Sequence, residues 1–266
     1  MRALIRPYLS AYRHRQLVMS LSDREIRSSF SGSMLGATWI LLRPLLSLTV
    51  YALVFGGILG LGREGGGMNF VSQLFAGMIV FQAFSELASR APRLVLSRPN
   101  YVTKVAFPLD ILPWPIAALS AIYALSSTAM LVLLHATLVG APAWTAVLLP
   151  LVLLPALLFG LGACWLLSAL GVYIRDTQEV VRVALQLLFF LSPIVWTLEM
   201  VQNPVVTDLV LLNPLAVLIE TMRAALAGTP GAGPLALSIT TAASVVFAAA
   251  AYAAFQRLKD GFADVI

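Results

Sequence analysis

Few residues in this chain are of a type that does covalent, metal or nucleotide chemistry, and their spacing argues against each of those reactions. A phosphate-binding loop needs Gly-x4-Gly-Lys-Ser/Thr, because its backbone cradles the phosphates and its lysine reaches them. The two lysines, Lys104 and Lys259, follow Thr103 and Leu258, so neither sits in such a loop. Hydrolysis needs a nucleophile beside an oriented base, and a metal centre needs clustered His, Cys or carboxylate ligands. The histidines are His14, among arginines, and His135, late in an apolar run with no acid near it in sequence. His135 therefore reads as a packed imidazole. Cys164 is the single cysteine and lies inside another apolar run, so no internal disulfide or cysteine metal cluster is available. A proton-coupled machine usually carries an acid or base deep in an apolar span. Here all twelve carboxylates fall at the ends of apolar runs or between them. No catalytic residue and no metal ligand is expected, and any work driven by ATP requires another subunit.

The elements that position these residues follow from composition. Of 266 residues, 60% are hydrophobic and only 11% are charged, whereas a soluble domain carries about 25% charged residues. So little charge cannot cover a water-soluble fold, and lipid is the solvent that suits it. The expected fold is an all-α membrane protein of six transmembrane helices, with an N-terminal amphipathic interfacial helix and short re-entrant elements between spans five and six. A crossing helix needs about 20 mostly apolar residues, which places spans at about 39–61, 68–88, 111–139, 144–173, 183–198 and 235–255. Residues 1–38 form a separate cytoplasmic interface segment, and their scattered arginines do not read as a cleaved leader. Between Ile111 and Ile174 no acid, lysine or arginine occurs, and the turn residues Gly140-Ala141-Pro142 divide this run into spans three and four. The fifth span is short and contains Ser192-Pro193. Leu209–Ile219 after it is too short to cross, and reads as elements packed at the outer surface.

Orientation comes from the basic residues, which concentrate on the cytoplasmic side of such proteins. With the N-terminus inside, fifteen of the seventeen Lys and Arg residues fall on that side, and only Arg63 and Arg223 fall outside. Both termini are therefore expected in the cytoplasm. The net charge of +5 is accounted for by this segregation, and no nucleic-acid partner is expected. Ser22-Asp23-Arg24-Glu25 has the spacing of a capping box, which predicts a helix start there. With Leu17, Leu21, Ile26 and Phe30 on faces of their own, the segment reads as amphipathic helices along the membrane surface and a docking surface for a cytoplasmic partner. The loop Glu86–Asp110 interleaves Arg90, Arg93, Arg98 and Lys104 with Pro92, Pro99, Asn100 and Tyr101. Prolines at that density break a helix and let a short partner-coupling element protrude. Gly32 and Gly36, Gly56 and Gly60, and Gly160 with Ala163 have the small-residue spacing that lets spans approach closely.

Several motifs, in order, give the chain a family resemblance. Asp23-Arg24-Glu25-Ile26-Arg27 leads to Gly32-Ser33-Met34-Leu35-Gly36, Trp39, Pro44-Leu45, Val50-Tyr51 and Val54-Phe55. Later come Phe107-Pro108-Leu109-Asp110-Ile111-Leu112-Pro113, Arg175-Asp176-Thr177-Gln178, Ser192-Pro193-Ile194, Asn213-Pro214 with Arg223, and Phe262-Ala263-Asp264. Over nearly its whole length the sequence resembles the transmembrane permeases of type-2 ABC exporters for O-antigen, capsular polysaccharide and teichoic acid. It departs in having Phe30-Ser31 where an aromatic–basic pair is frequent, and Arg43 beside Pro44 where a neutral polar residue is more usual.

The resemblance implies a homodimer in the bacterial inner membrane with two copies of a separate ABC ATPase. ATP and Mg would sit on that partner, and this chain would bind no cofactor. The cargo would be a polyprenyl-pyrophosphate-linked polysaccharide moved from cytoplasm to periplasm. Arg24, Arg27, Asn100, Tyr101 and Lys104 are then the ATPase-docking candidates. Sugar rings stack on aromatic faces, which makes Trp39, Tyr51, Phe55, Phe81, Phe84, Tyr123, Trp165 and Tyr173 candidates for a glycan channel lining. Guanidinium groups pair with phosphate oxygens, which makes Arg43, Arg90, Arg93 and Arg98 candidates for the pyrophosphate at the entrance. The competing expectations are a related permease for a drug or smaller lipid, and a membrane-bound lipid-processing enzyme.

Overall fold

The computed structural model describes residues 2–58, 67–102, 107–229 and 231–265, and every regular element among them is helical. Helices α1 (Arg2–Arg13) and α2 (Arg15–Phe30) precede the first apolar run. Helix α3 (Trp39–Tyr51) continues into π-helical turns over Ala52–Ile58 and is followed by α4 (Gly67–Arg90) and the one-turn α5 (Pro99–Val102). Then come α6 (Pro113–Leu138), α7 (Leu149–Tyr173), α8 (Thr177–Leu191), α9 (Pro204–Leu211), α10 (Pro214–Ala227) and α11 (Gly233–Leu258). Among the described residues, five segments are long and apolar enough to cross a bilayer: Gly36–Val54, Asn69–Arg93, Leu109–Leu138, Trp144–Tyr173 and Gly233–Asp264. The pair α9 and α10, bent by 98°, makes a sixth if taken as one broken span. The chain is an all-α membrane protein.

Helices α4 and α7 form the centre, and α6, α10 and α11 pack around them. The apolar window of α4 is 72% buried and that of α3 only 11%, so α3 lies at the margin with most of its surface free. Lipid tails are as apolar as leucine, so spans associate through close packing rather than hydrophobic burial. Small residues supply that closeness. A Cβ on Gly160 would lie 3.0 Å from Leu87 of α4, and one on Gly162 would lie 2.9 Å from Ala248 of α11. At Gly171 it would sit 2.2 Å from the carbonyl oxygen of Pro92, where the turn Ala91–Arg93 crosses α7. Gly32 and Gly36 behave differently from the small-residue expectation. Their φ angles of +81° and +51° place them in a turn, with nothing near where a Cβ would be. Glycine is needed there for its left-handed backbone.

Three further expectations are corrected. Helix α2 begins at Arg15, not Ser22, and runs unbroken through Ser22–Glu25. The Ser-x-x-Glu spacing is thus a mid-helix i, i+3 pair, and Glu25 reaches a different part of the molecule. Glu86 belongs to α4 rather than to the following loop, because an i, i+4 ion pair with Arg90 carries the helix onward to Arg90. The expected fifth span 183–198 is not one helix. Helix α8 starts earlier, at Thr177, and stops at Leu191, because Ser192 precedes a proline and takes an extended backbone.

After this break the chain restarts twice from the same dipeptide. Asn203 and Asn213 each accept a bond from the backbone N–H two residues on, at 3.0 Å, with Pro204 and Pro214 as the next residue. Asparagine caps with proline at the first helical position are favoured starts, since the missing proline N–H has no partner to lose. Helix α10 packs closely into the bundle. Leu215, Leu218, Ile219 and Met222 are fully buried where it packs on α4 and α7.

Gly171→Ala should lower the stability of the detergent-solubilised protein by about 1–3 kcal/mol through overpacking. The expected readout is a fall in unfolding temperature, and an unchanged temperature contradicts the close crossing of α7 and the Pro92 turn.

Candidate functional site

Two cavities take up part of the sequence candidates. The first lies among α3, α4 and α6 and has a volume of about 470 Å³. Arg43, Ser47, Gln82, Glu86, Ser120 and Tyr123 contribute its polar lining. Arg43 comes from a membrane span and has no carboxylate partner among the described residues. Its guanidinium sits over the Tyr123 ring, 5.3 Å from the centroid, a cation–π contact that fixes its direction. Phe30 of α2 packs edge-on against the same ring at 6.4 Å. The Tyr123 hydroxyl is buried and without a hydrogen-bond partner among the described residues. A buried hydroxyl costs free energy unless something bonds it. The cavity therefore offers a polar guest one fixed cation and one free hydroxyl, with the acid in its wall, Glu86, paired to Arg90.

The second cavity, of about 610 Å³, lies between α2 and the segment around α5. Arg24, Glu25, Arg98, Asn100 and Tyr101 line it. Three residues singled out for docking thus converge from sequence positions more than seventy apart. Arg27 is close by on α2 but pairs with Asp23 on the exposed face at 2.9 Å, and Lys104 lies outside the described residues. Tyr101 stacks on Phe107 with ring centroids 4.2 Å apart.

Glu25 joins the two regions. Arg90 donates to one of its oxygens at 3.2 Å and Arg98 to the other at 3.1 Å. Arg90 also pairs with Glu86. These arginines, expected at a phosphate entrance, are therefore already engaged by carboxylates. Arg93, the third, is exposed. Glu25 was not among the site candidates; the sequence singled it out only as part of a capping box and of the Asp-Arg-Glu-Ile-Arg motif.

The aromatic candidates scatter. Trp165 is fully buried, with its indole N–H donating to the Asp110 carbonyl at 2.9 Å. It packs against Trp114 and Tyr252, so it is a core residue with no face for a glycan, contrary to expectation. Phe84, also buried, stacks on Phe159. Phe81 is buried but for an edge on a groove with Phe189 of α8. Trp39 is half-buried, and its N–H donates to Ser33 at 2.8 Å. Tyr51 packs half-buried against the core. Tyr173 is exposed and donates to the Leu258 carbonyl at 2.7 Å. The side chain of Phe55 lies outside the described residues. Of the seven whose side chains are described, Tyr123 alone lines the α3–α4–α6 cavity.

Two polar groups among the spans are fully engaged. Nδ1 of the buried His135 lies 3.0 Å from the Ser72 hydroxyl, which is the packed imidazole expected of it. Arg223 is buried. It donates to the carbonyls of Gln73, Ile194 and Trp196 at 3.1, 2.9 and 3.4 Å and to Glu220 at 2.8 Å.

Comparison with known proteins follows the same outline. Residues 16–227 match the family described as ABC-2 type transporter. The chain is similar to the O-antigen export system permease protein RfbA of Myxococcus xanthus, with 31% identity covering 99% of this chain and 100% of the relative. Two proteins of Klebsiella pneumoniae with the same description are 21% and 20% identical, each covering 94% of this chain and 95% of the relative.

Glu25→Gln should release Arg90 and Arg98 and loosen α2 from the α4–α5 region. Limited trypsin digestion is expected to cut at Arg24 and Arg27 several-fold faster than in the unmodified protein. An unchanged cleavage rate contradicts the bridging role of Glu25.

Proposed function

The chain belongs to the ABC-2 type transporter family, and from that premise we propose that it is the membrane-spanning permease of an ATP-driven exporter of O-antigen-type polysaccharide. Membership implies an ABC ATPase as partner, since nothing in this sequence handles nucleotide. Two copies of the chain would assemble with two ATPases in the bacterial inner membrane, with both termini in the cytoplasm. The ATPases would hold ATP and Mg. The cargo would travel from cytoplasm to periplasm attached to a polyprenyl pyrophosphate.

One observation supports this reading above the others: the polar chamber of α3, α4 and α6, with Arg43 fixed over Tyr123 and a free hydroxyl beside it. An unpaired cation in a spanning segment is costly and marks a path for polar cargo. Arg43 would meet a phosphate oxygen of the lipid carrier, and Tyr123 would present its hydroxyl to the phosphate or first sugar. The margin position of α3, with little of it buried, leaves a side of this chamber for a long substrate. On the α2–α5 side, Arg24, Asn100 and Tyr101 would receive the ATPase. Glu25, bound to Arg90 and Arg98, would carry its movement to the end of α4. Trp39, Tyr51 and Tyr173 remain as stacking surfaces for the glycan.

Arg43→Gln tests the reading in membranes containing the chain, its ATPase and lipid-linked glycan. Loss of a charge-assisted contact to phosphate is worth about 1.5–3 kcal/mol, so ATP-dependent export should fall by about tenfold or more. The variant should still co-purify with the ATPase, and Arg43→Lys should keep part of the activity. Normal export by Arg43→Gln contradicts the assignment.

A further inference from the structure

Away from both cavities, α1 and α11 enclose a third, of about 400 Å³, lined by Arg6, Leu9, Ser10, Arg13, His14, Tyr252, Ala253 and Gln256. That volume is in the range of about 300–1,000 Å³ usual for small-ligand sites. Both helices lie outside residues 16–227, which match the transporter family. The groove is a built feature. The Ser10 hydroxyl of α1 and the Tyr252 hydroxyl of α11 both donate to the same oxygen of Asp110, the latter at 2.9 Å. Tyr8, two residues before Ser10, packs edge-on against Trp114 of α6 at 6.0 Å. Together these contacts fix α1 along α11.

Above that floor the charge is positive. Arg6 and Arg13 are seven residues apart, so they share one face of α1 two turns from each other. Both are exposed, and neither has a carboxylate ion-pair partner among the described residues. His14, at the joint between α1 and α2, adds ring nitrogens to the same wall. Asp110 is the nearby acid. It is buried beneath the two hydroxyls that bond it, so it faces the floor rather than the opening. The other wall is part of a membrane-spanning segment, Gly233–Asp264. Leu9 and Ala253, both exposed, give the groove an apolar border.

We propose that this groove is a binding site for an anionic phospholipid, with Arg6 and Arg13 holding the phosphate and headgroup and the acyl chains leaving past Leu9 and Ala253. A phosphate diester supplies the oxygens that two guanidiniums can share. Basic pockets at the ends of spanning helices take up anionic headgroups because the surrounding leaflet presents them at high local concentration. The lipid acts as a cement between α1 and α11. This site is independent of the cargo assignment, because it involves none of the residues of the α3–α4–α6 chamber.

The test is native mass spectrometry of the detergent-purified full chain titrated with phosphatidylglycerol or with phosphatidylcholine. Phosphatidylglycerol should be retained in preference. Each surface arginine contributes about a fivefold factor, so Arg6→Gln with Arg13→Gln should lower phosphatidylglycerol affinity about 25-fold. The double lysine variant, Arg6→Lys with Arg13→Lys, should keep most of the preference and separates loss of charge from loss of fold. Equal retention of the two lipids by the unmodified chain overturns the proposal, as does full retention by the glutamine variant. Displacement by soluble glycerol phosphate at the lipid's own concentration would identify a free phosphate ligand and also overturn it.

Discussion

Arg223 reaches three backbone carbonyls and one carboxylate from a single buried position, and the whole region after α8 depends on it. The chain between Ser192 and Asn203 carries little regular helix, so its carbonyls cannot satisfy one another along a helix. In lipid such backbone is tolerated only where protein covers it and bonds its polar groups. The guanidinium has five donors in a planar fork and keeps its charge even when buried. It bonds Ile194 and Trp196 just after the break in α8 and, on its other side, Gln73 in the spanning part of α4. Glu220, one turn earlier on α10, balances the charge. Gly77 makes room: a Cβ there would lie 3.3 Å from the Ile194 backbone and 3.5 Å from the Arg223 guanidinium. Losing one partner of such a buried pair costs about 3–5 kcal/mol.

The same constraint sorts the other polar groups in the bundle. Asp110 accepts two hydroxyl bonds and its carbonyl accepts the Trp165 indole, which ties α1, α7 and α11 to the start of α6. His135 and Ser72 complete each other across α4 and α6. Glu25 takes up two arginines. Against that background of paired groups, the Trp114 indole N–H is buried singly in α6 without a partner, whereas Arg43 and the Tyr123 hydroxyl are left open together in one chamber. They are polar, lie in spanning helices, and have no hydrogen-bonding or ion-pair partner among the described residues. Groups left open at that depth are the ones a substrate can use.

Much of this was legible in the sequence for physical reasons. Uninterrupted apolar runs disclose spanning helices, because length and absence of charge are what a bilayer demands, and the long helices fall where those runs do. The region 183–234 was legible only in outline. Ser192-Pro193 announced a break, but the residue that seals it is thirty positions away, and the charge count that placed Arg223 on the outer side of the membrane carried no information about its burial. Spacing misled at Ser22–Glu25, because a capping box and two mid-helix residues share the same i, i+3 interval, and only the positions of Arg90 and Arg98 distinguish them. Aromatic type alone misled at Trp165, since an indole with one buried carbonyl to bond packs in a core as readily as it lines a pore. Arg43 and Tyr123 were each singled out separately, eighty residues apart. Their meeting in one chamber is a product of the α3–α6 packing.

The central claim is that the paired polar groups of the spans are sealed, whereas Arg43 and Tyr123 face one open chamber. Thiol accessibility separates the two, and the native background is favourable because the single cysteine, Cys164, is fully buried. Ser47→Cys in the chamber and Ser72→Cys in the sealed His135 pair can be compared in the same membranes with a water-soluble maleimide. The account predicts rapid labelling at position 47 and none at position 72 while the protein stays folded. Equal protection of both positions would show the chamber to be dry and closed, and would contradict it.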